Sequence, residues 1–181
     1  MTLITNVDAP ATGFPGGRFS YTYASFTRPA NTTAYGAKDV ISDTTTAAIQ
    51  FPKVGQNGAV ISSTLFVEET DTINFSLWLF DQEPTNFADN AAFALVSGDF
   101  PKVVGKFFYP DATKKNVGTN LEVYQAYDFQ ATASVNAVLP RLPYRTPDGL
   151  LYGLLVTETG YTPISGVKFG IRLGLEFGHD A

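Results

Sequence analysis

The stretch from Val167 to Phe177 constrains the fold of this chain more than any other. Val167, Phe169, Ile171, Leu173, Leu175 and Phe177 alternate with Lys168, Gly170, Arg172, Gly174 and Glu176, and Gly178 follows. A period of two puts the whole apolar set on one face of a β-strand. At ~3.3 Å per residue that is about 36 Å of continuous strand. Interior glycines weaken a strand unless another backbone or side chain comes close. Gly170, Gly174 and Gly178 leave the opposite face nearly bare, which has two readings. One is a contact with another subunit through Gly170, Arg172 and Gly174; the other is packing within the chain.

Further runs of β-branched and aromatic residues, separated by Gly, Pro, Asn and Asp clusters, predict strands near 19 to 28, 46 to 51, 58 to 67, 72 to 81, 102 to 108, 121 to 130, 133 to 139 and 150 to 158. Ile73, Phe75, Leu77 and Leu79 form a second alternating face, with Asn74, Ser76, Trp78 and Phe80 opposite. Leu150 to Val156 is apolar on both sides, as suits a central strand covered on two faces. Helix is scarce: Asn86 to Leu95 is the one stretch expected to form a turn or two, as a crossover. Many strands with long connections fit an all-β, single-domain antiparallel β-sandwich, with a jelly roll favoured over an immunoglobulin-like arrangement. Residues 1 to 17, punctuated by Pro10, Gly13, Pro15, Gly16 and Gly17, read as an extended N-terminal arm anchored by residues such as Phe14; residues 18 to 181 read as the sandwich.

At 181 residues a single domain buries roughly 70% of the surface its unfolded chain exposes, so a core without staples is feasible. With no cysteine, disulfides and Cys-based metal sites are excluded. The single histidine, His179, sits near the C-terminus, so neither a Ser-His-Asp system nor a histidine-rich cupin metal centre can be assembled. Twelve basic against 17 acidic residues give a net charge of −5; with no basic run longer than Lys114-Lys115, direct nucleic-acid binding is not expected. No apolar run approaches the ~18 residues of a membrane span, and the N-terminus lacks a basic leader pattern. Only 16% of residues are charged while 15 Phe and nine Tyr are present, a composition that favours association.

The remaining chemistry is sparse. Glu68, Glu69 and Asp71 are expected at a solvated hairpin tip and not as a glycosidase pair. Asp81, Glu83 and Asp89 lack calcium-loop spacing, and Gly13-x-x-Gly16-Gly17 is no phosphate loop. No cofactor, metal or enzymatic activity is expected.

The stretch Phe26 to Asp43, FTRPANTTAYGAKDVISD, is instead read as a strand end that runs into a stiff polar connection. Pro29 fixes its own φ and biases Arg28 toward extended geometry, while Asn31, Thr32 and Thr33 bond back to nearby backbone; Gly36 to Ile41 then turns into a short strand. This segment resembles one in small virion structural proteins of tailed double-stranded DNA bacteriophages: Thr-Arg-Pro, a polar run, Thr-Ala-Tyr, then Gly/Ala-x-Asp-Val-Val/Ile. Leu77 to Phe93, LWLFDQEPTNFADNAAF, resembles a later segment of the same proteins.

The resemblance implies a virion component, foremost a capsid decoration or cement protein on the outer surface of the phage head, made in the host cytoplasm. Its partners would be the major capsid protein and further copies of itself, a trimer being favoured. Arg28 and Tyr35 are the best single candidates for contacts, since Arg and Tyr are enriched at interface hot spots. The alternative is a tail or fibre-associated protein, or a β-sandwich that recognises glycan through aromatics such as Trp78, Tyr124, Tyr144 or Tyr161.

Overall fold

The structure, a computed structural model, describes residues 18–43, 48–85, 87–126 and 141–177. The arm 1–17 with Phe14, the strand expected at 133 to 139 and His179 lie outside the described residues. Within them the strands are β1 (Arg18–Thr27), β2 (Val40–Ile41), β3 (Ile49–Phe51), β4 (Asn57–Val67), β5 (Phe75–Phe80), β6 (Val103–Tyr109), β7 (Lys115–Gly118), β8 (Leu121–Gln125), β9 (Leu142–Arg145), β10 (Leu151–Thr157) and β11 (Lys168–Phe177).

They form two antiparallel sheets. The first has the order β1-β11-β4-β8-β7, with β9 also on β4; the second has the order β2-β10-β5-β6, with β3 also on β10. β8 pairs with Thr64 to Val67 and β9 with Asn57 to Val60, so together they run along one edge of β4 as a single interrupted strand. β2 and β3 share β10 in the same way. Counting each interrupted strand once, the pairs nest from the chain ends inward: β1 with β11, β2/β3 with β10, β4 with β8/β9, β5 with β6. The contacts of β11 with β4 and of β10 with β5 join the pairs. This nesting is compatible with a jelly roll.

The alternation along Val167 to Phe177 explains the core. Phe169, Ile171, Leu173 and Leu175 are fully buried, facing Phe75, Leu77 and Leu79 of the other sheet. Phe75 is the hub, edge-on to Tyr124, Tyr161 and Phe169 at 5.5, 6.2 and 6.1 Å between ring centres. β10 is buried throughout, as its two-sided apolarity predicts. The bare face expected on β11 is filled from within the chain. A Cβ at Gly170 would collide with the Tyr23 side chain, and one at Gly174 with the Ser62 hydroxyl. The space over these two glycines is thus taken by Tyr23 and Ser62 of the chain itself.

Two local expectations fail for clear reasons. Residues 87–95 form no helix: Asn90 has a φ of +63°, and their backbone groups are spent on the 38–40 segment. Val40 N–H donates to Ala91 (2.8 Å), Asn90 N–H to Val40 (2.9 Å) and Phe93 N–H to Lys38 (2.7 Å). The helical turns that do occur are 3-10 turns at Ser97–Lys102 and Asp111–Thr113. Glu69, expected at a solvated tip, is buried because its carboxylate reaches inward to accept the Ile164 N–H at 2.7 Å.

Candidate functional site

Arg28 leaves β1 just before Pro29, and its side chain turns inward until only 2% of the residue is exposed. A guanidinium taken from water needs every donor matched. Its Nε donates to the Tyr35 hydroxyl at 3.0 Å, Nη1 to the Asn31 carbonyl at 2.6 Å and the Ile164 carbonyl at 3.1 Å, and Nη2 to Asn31 Oδ1 at 3.0 Å. Asp89 supplies the countercharge at 4.0 Å and accepts from the Tyr35 hydroxyl (2.5 Å) and the Ser42 N–H (3.1 Å). Tyr35 stacks on Tyr161 at 5.3 Å. Burial first, then its bond to Asp89, pushes the Tyr35 hydroxyl well above the ordinary phenol range. Arg28 and Tyr35 are thus interior residues, paired within the chain, and not exposed contact residues. The polar run between them forms the backbone cage that makes burial of the guanidinium tolerable.

The same cluster joins two segments that lie far apart in sequence, Phe26 to Asp43 and Leu77 to Phe93. Asp89 comes from the second and Arg28, Tyr35 and Ser42 from the first, and an isolated bridge pairs Asp39 with Ala92. Docked in this way, residues 87 to 95 lie over the outer face of the second sheet. There Phe87, Phe93 and Leu95 pack with Trp78 against Val40, Phe80, Tyr152, Leu154 and Val156. Trp78 sits 5.2 Å from Phe93, with the Lys106 ammonium 5.4 Å from its ring. Lys106 also donates to Glu158 at 2.7 Å, where Lys38 and Ser76 converge as well. Burial pushes Glu158 up, but these bonds outweigh it and hold the carboxyl below the usual range.

The outer face of the first sheet has no such cover among the described residues. Phe19, Tyr21 and Tyr23 alternate along β1 with exposures of 48, 36 and 41%. They stand opposite Glu176, Gly174 and Arg172 of β11. The Arg172 guanidinium leans over Tyr21, 4.8 Å from the ring centre, and Tyr23 fills the space above Gly170. Of the residues singled out from sequence, Arg172 is therefore on an exposed surface, with Gly170 and Gly174 as the floor under it. The aromatic row itself was missed. Its signal was present as Phe19, Tyr21 and Tyr23 alternating with Ser20, Thr22 and Ala24, the large residues on the face away from the core.

Other expected sites disperse. Tyr124, Tyr144 and Tyr161 are in the core at 0, 6 and 8% exposure and Trp78 is half-covered, so they line no open groove. Burial pushes the Tyr144 hydroxyl up to about 12, and it donates to the Val54 carbonyl. Among the described residues no group of three or more His, Cys, Asp or Glu is placed to hold a metal ion, and Asp89 is engaged in the Arg28 cluster.

No family model and no curated protein matches this chain. Among solved structures, a chain of the cyanophage Pam1 capsid asymmetric unit is similar over 98% of this chain and 97% of its own, at 12% identity and a TM-score of 0.38. A likeness at that score bears on neither fold nor function.

Proposed function

We propose that this chain is a structural protein of a tailed-phage virion, a decoration or cement protein that binds the head lattice and stabilises it by burying apolar surface between subunits. The observation that carries the reading is the union of the two phage-like segments. Phe26 to Asp43 and Leu77 to Phe93, separated in sequence, interlock through Asp89, Tyr35 and the 38–40 to 90–93 backbone bonds. The resemblance therefore covers one cooperative unit of the fold and not two unrelated loops. The role is binding and not catalysis, since the polar clusters described above serve to close the fold. The exposed aromatic row on β1, with Arg172 beside it, has the composition of an interface hot spot. The major capsid protein, and further copies of this chain in a trimer, are the partners that suit such a surface on the outside of the head.

The test is the position of the chain in intact particles, by cryo-electron microscopy. Regular density at threefold or quasi-threefold points of the head lattice is expected. Density confined to the tail, or absence from purified particles, would overturn the proposal.

A further inference from the structure

The fold fixes one apolar residue, Ile164, in water. Its side chain is on a residue 52% exposed, yet both polar groups of its backbone are bound by buried side chains. Its N–H donates to Glu69 Oε1 at 2.7 Å, and its carbonyl accepts from Arg28 Nη1 at 3.1 Å. No other exposed large apolar residue among the described residues is gripped in this way. The same Nη1 holds the Asn31 carbonyl, Pro163 is buried, and Gly166 turns the chain with a φ of +68°. The tip of this loop is therefore set before any partner arrives, which lowers the entropy cost of docking. Thr162, Ser165 and Asn31 around it are exposed and uncharged, so an apolar centre stands in a polar rim.

The chain also carries a recess that suits such a tip. It measures about 320 Å³, with Gly58, Ala59, Pro143 and Tyr144 as its apolar lining and Asn57, Arg141 and Glu176 at its rim. Arg141 and Glu176 neutralise each other through two contacts of 3.0 Å, so the recess, like the tip, brings no unpaired charge to be desolvated. Tip and recess lie at opposite ends of the first sheet. β4 runs from Gly58 at the recess to Val67, two residues before Glu69, a span of about 30 Å at 3.3 Å per residue. One molecule therefore cannot fill its own recess.

We infer that Ile164 of one copy enters the recess at Ala59, Pro143 and Tyr144 of the next. The two patches differ, so the contact is head-to-tail, the kind that closes a trimer and that a twofold dimer does not use. Exposed charges flank both patches, Glu68 and Lys168 at the tip and Arg145 with the Arg141–Glu176 pair at the recess, and each sign on one side has its opposite on the other. Each patch finds its complement on the chain itself, and the β1 aromatics, at the far edge of the same sheet, stay free for a different partner. The inference names the copy-to-copy contact of the role proposed above; it rests on the self-association in that reading and not on the virion.

The test is analytical ultracentrifugation of the full chain into the submillimolar range. The wild type is expected to form a trimer or a longer head-to-tail oligomer. Ile164→Asp at the tip and Pro143→Asp in the recess should each weaken self-association at least about tenfold, with melting temperature unchanged, while Ile164→Leu should assemble. Mixed in equal amounts, the two Asp variants should form a heterodimer and nothing larger, because one intact tip and one intact recess remain between them. If either Asp variant melts early, Ile164→Ser and Pro143→Ser serve, with the same result on mixing. A wild-type chain that stays monomeric, single variants that assemble as the wild type does, or a mixture that stays monomeric would each overturn the inference. So would a monomeric chain whose attachment to phage heads is blocked by Ile164→Asp, since the tip would then dock on the capsid protein. Assembly through this contact by a chain absent from particles would overturn only the virion role; a chain found on heads whose Ile164→Asp variant assembles unchanged would overturn only this contact.

Discussion

The two outer faces of the sandwich solve the same problem differently. Each sheet buries its inner face against the other, and each has large side chains left over on the outside. On the second sheet, Trp78, Phe80, Tyr152 and Leu154 are roofed by residues 87 to 95, which the Arg28 and Asp89 cluster pins in place. On the first sheet, Phe19, Tyr21 and Tyr23 stay exposed along β1, with no such roof among the described residues. The difference teaches that the most distinctive sequence segments here serve closure of the fold. The surface left for a partner is made of ordinary strand residues.

The sharpest way to break this comparison is to unpin the roof. Arg28→Ala leaves the buried Tyr35 and the partly buried Asp89 without their cation, and removing one partner of a buried pair costs about 3–5 kcal/mol. Urea denaturation should register that loss. A loss under about 1 kcal/mol would mean the cluster behaves as a surface pair. Next in size is Phe93→Ala, which removes the ring that covers Trp78. Because Phe93 is half-buried, the loss should fall below the ~3–5 kcal/mol of a fully buried aromatic, at about 2–3 kcal/mol, with a red shift of Trp78 emission as its ring meets water.

Much of this was readable in advance, and the exceptions have physical causes. The alternation in Val167 to Phe177 specified β11 and its buried face, and the both-sided apolarity of Leu150 to Val156 specified a covered central strand. The turn into a short strand at Val40–Ile41 was also legible, because Gly36 to Asp39 carries turn residues. The inward path of Arg28 was not legible. A guanidinium is buried only when a cage of carbonyls assembles around it, and Ile164 lies 136 residues away. The false helix at 86 to 95 has a similar origin: local propensity favoured it, but bonds to Lys38 and Val40 took its backbone groups. The candidate contact surface was half legible, with Arg172 named and the β1 aromatics assigned only to a strand.

A pH titration sharpens the contrast from inside the clasped region. Burial, above all, raises the pKa of Glu69, so the folded state holds its proton at pH values where the unfolded chain has lost it. The associated stability is complete below the ordinary glutamate range and is lost as pH rises through the raised value. Glu69→Gln should flatten this part of the stability profile while keeping an acceptor for the Ile164 N–H. An unchanged profile would show that Glu69 does not titrate differently in the two states.

The smallest stability effect belongs to the exposed face. Tyr21→Ala should change folding free energy by no more than about 0.5 kcal/mol, and Gly170→Ala should be nearly as mild, because the atoms it meets are the movable end of Tyr23.

The most direct measurement of the account is side-chain footprinting of the chain, free and bound to phage heads, with a photogenerated carbene read by mass spectrometry. The account predicts that Phe19, Tyr21 and Tyr23 are labelled in the free chain and protected on heads, while Tyr35 and Tyr161 stay unlabelled in both. Protection that appears at residues 28–35 on binding, with the β1 aromatics labelled equally in both states, would contradict it.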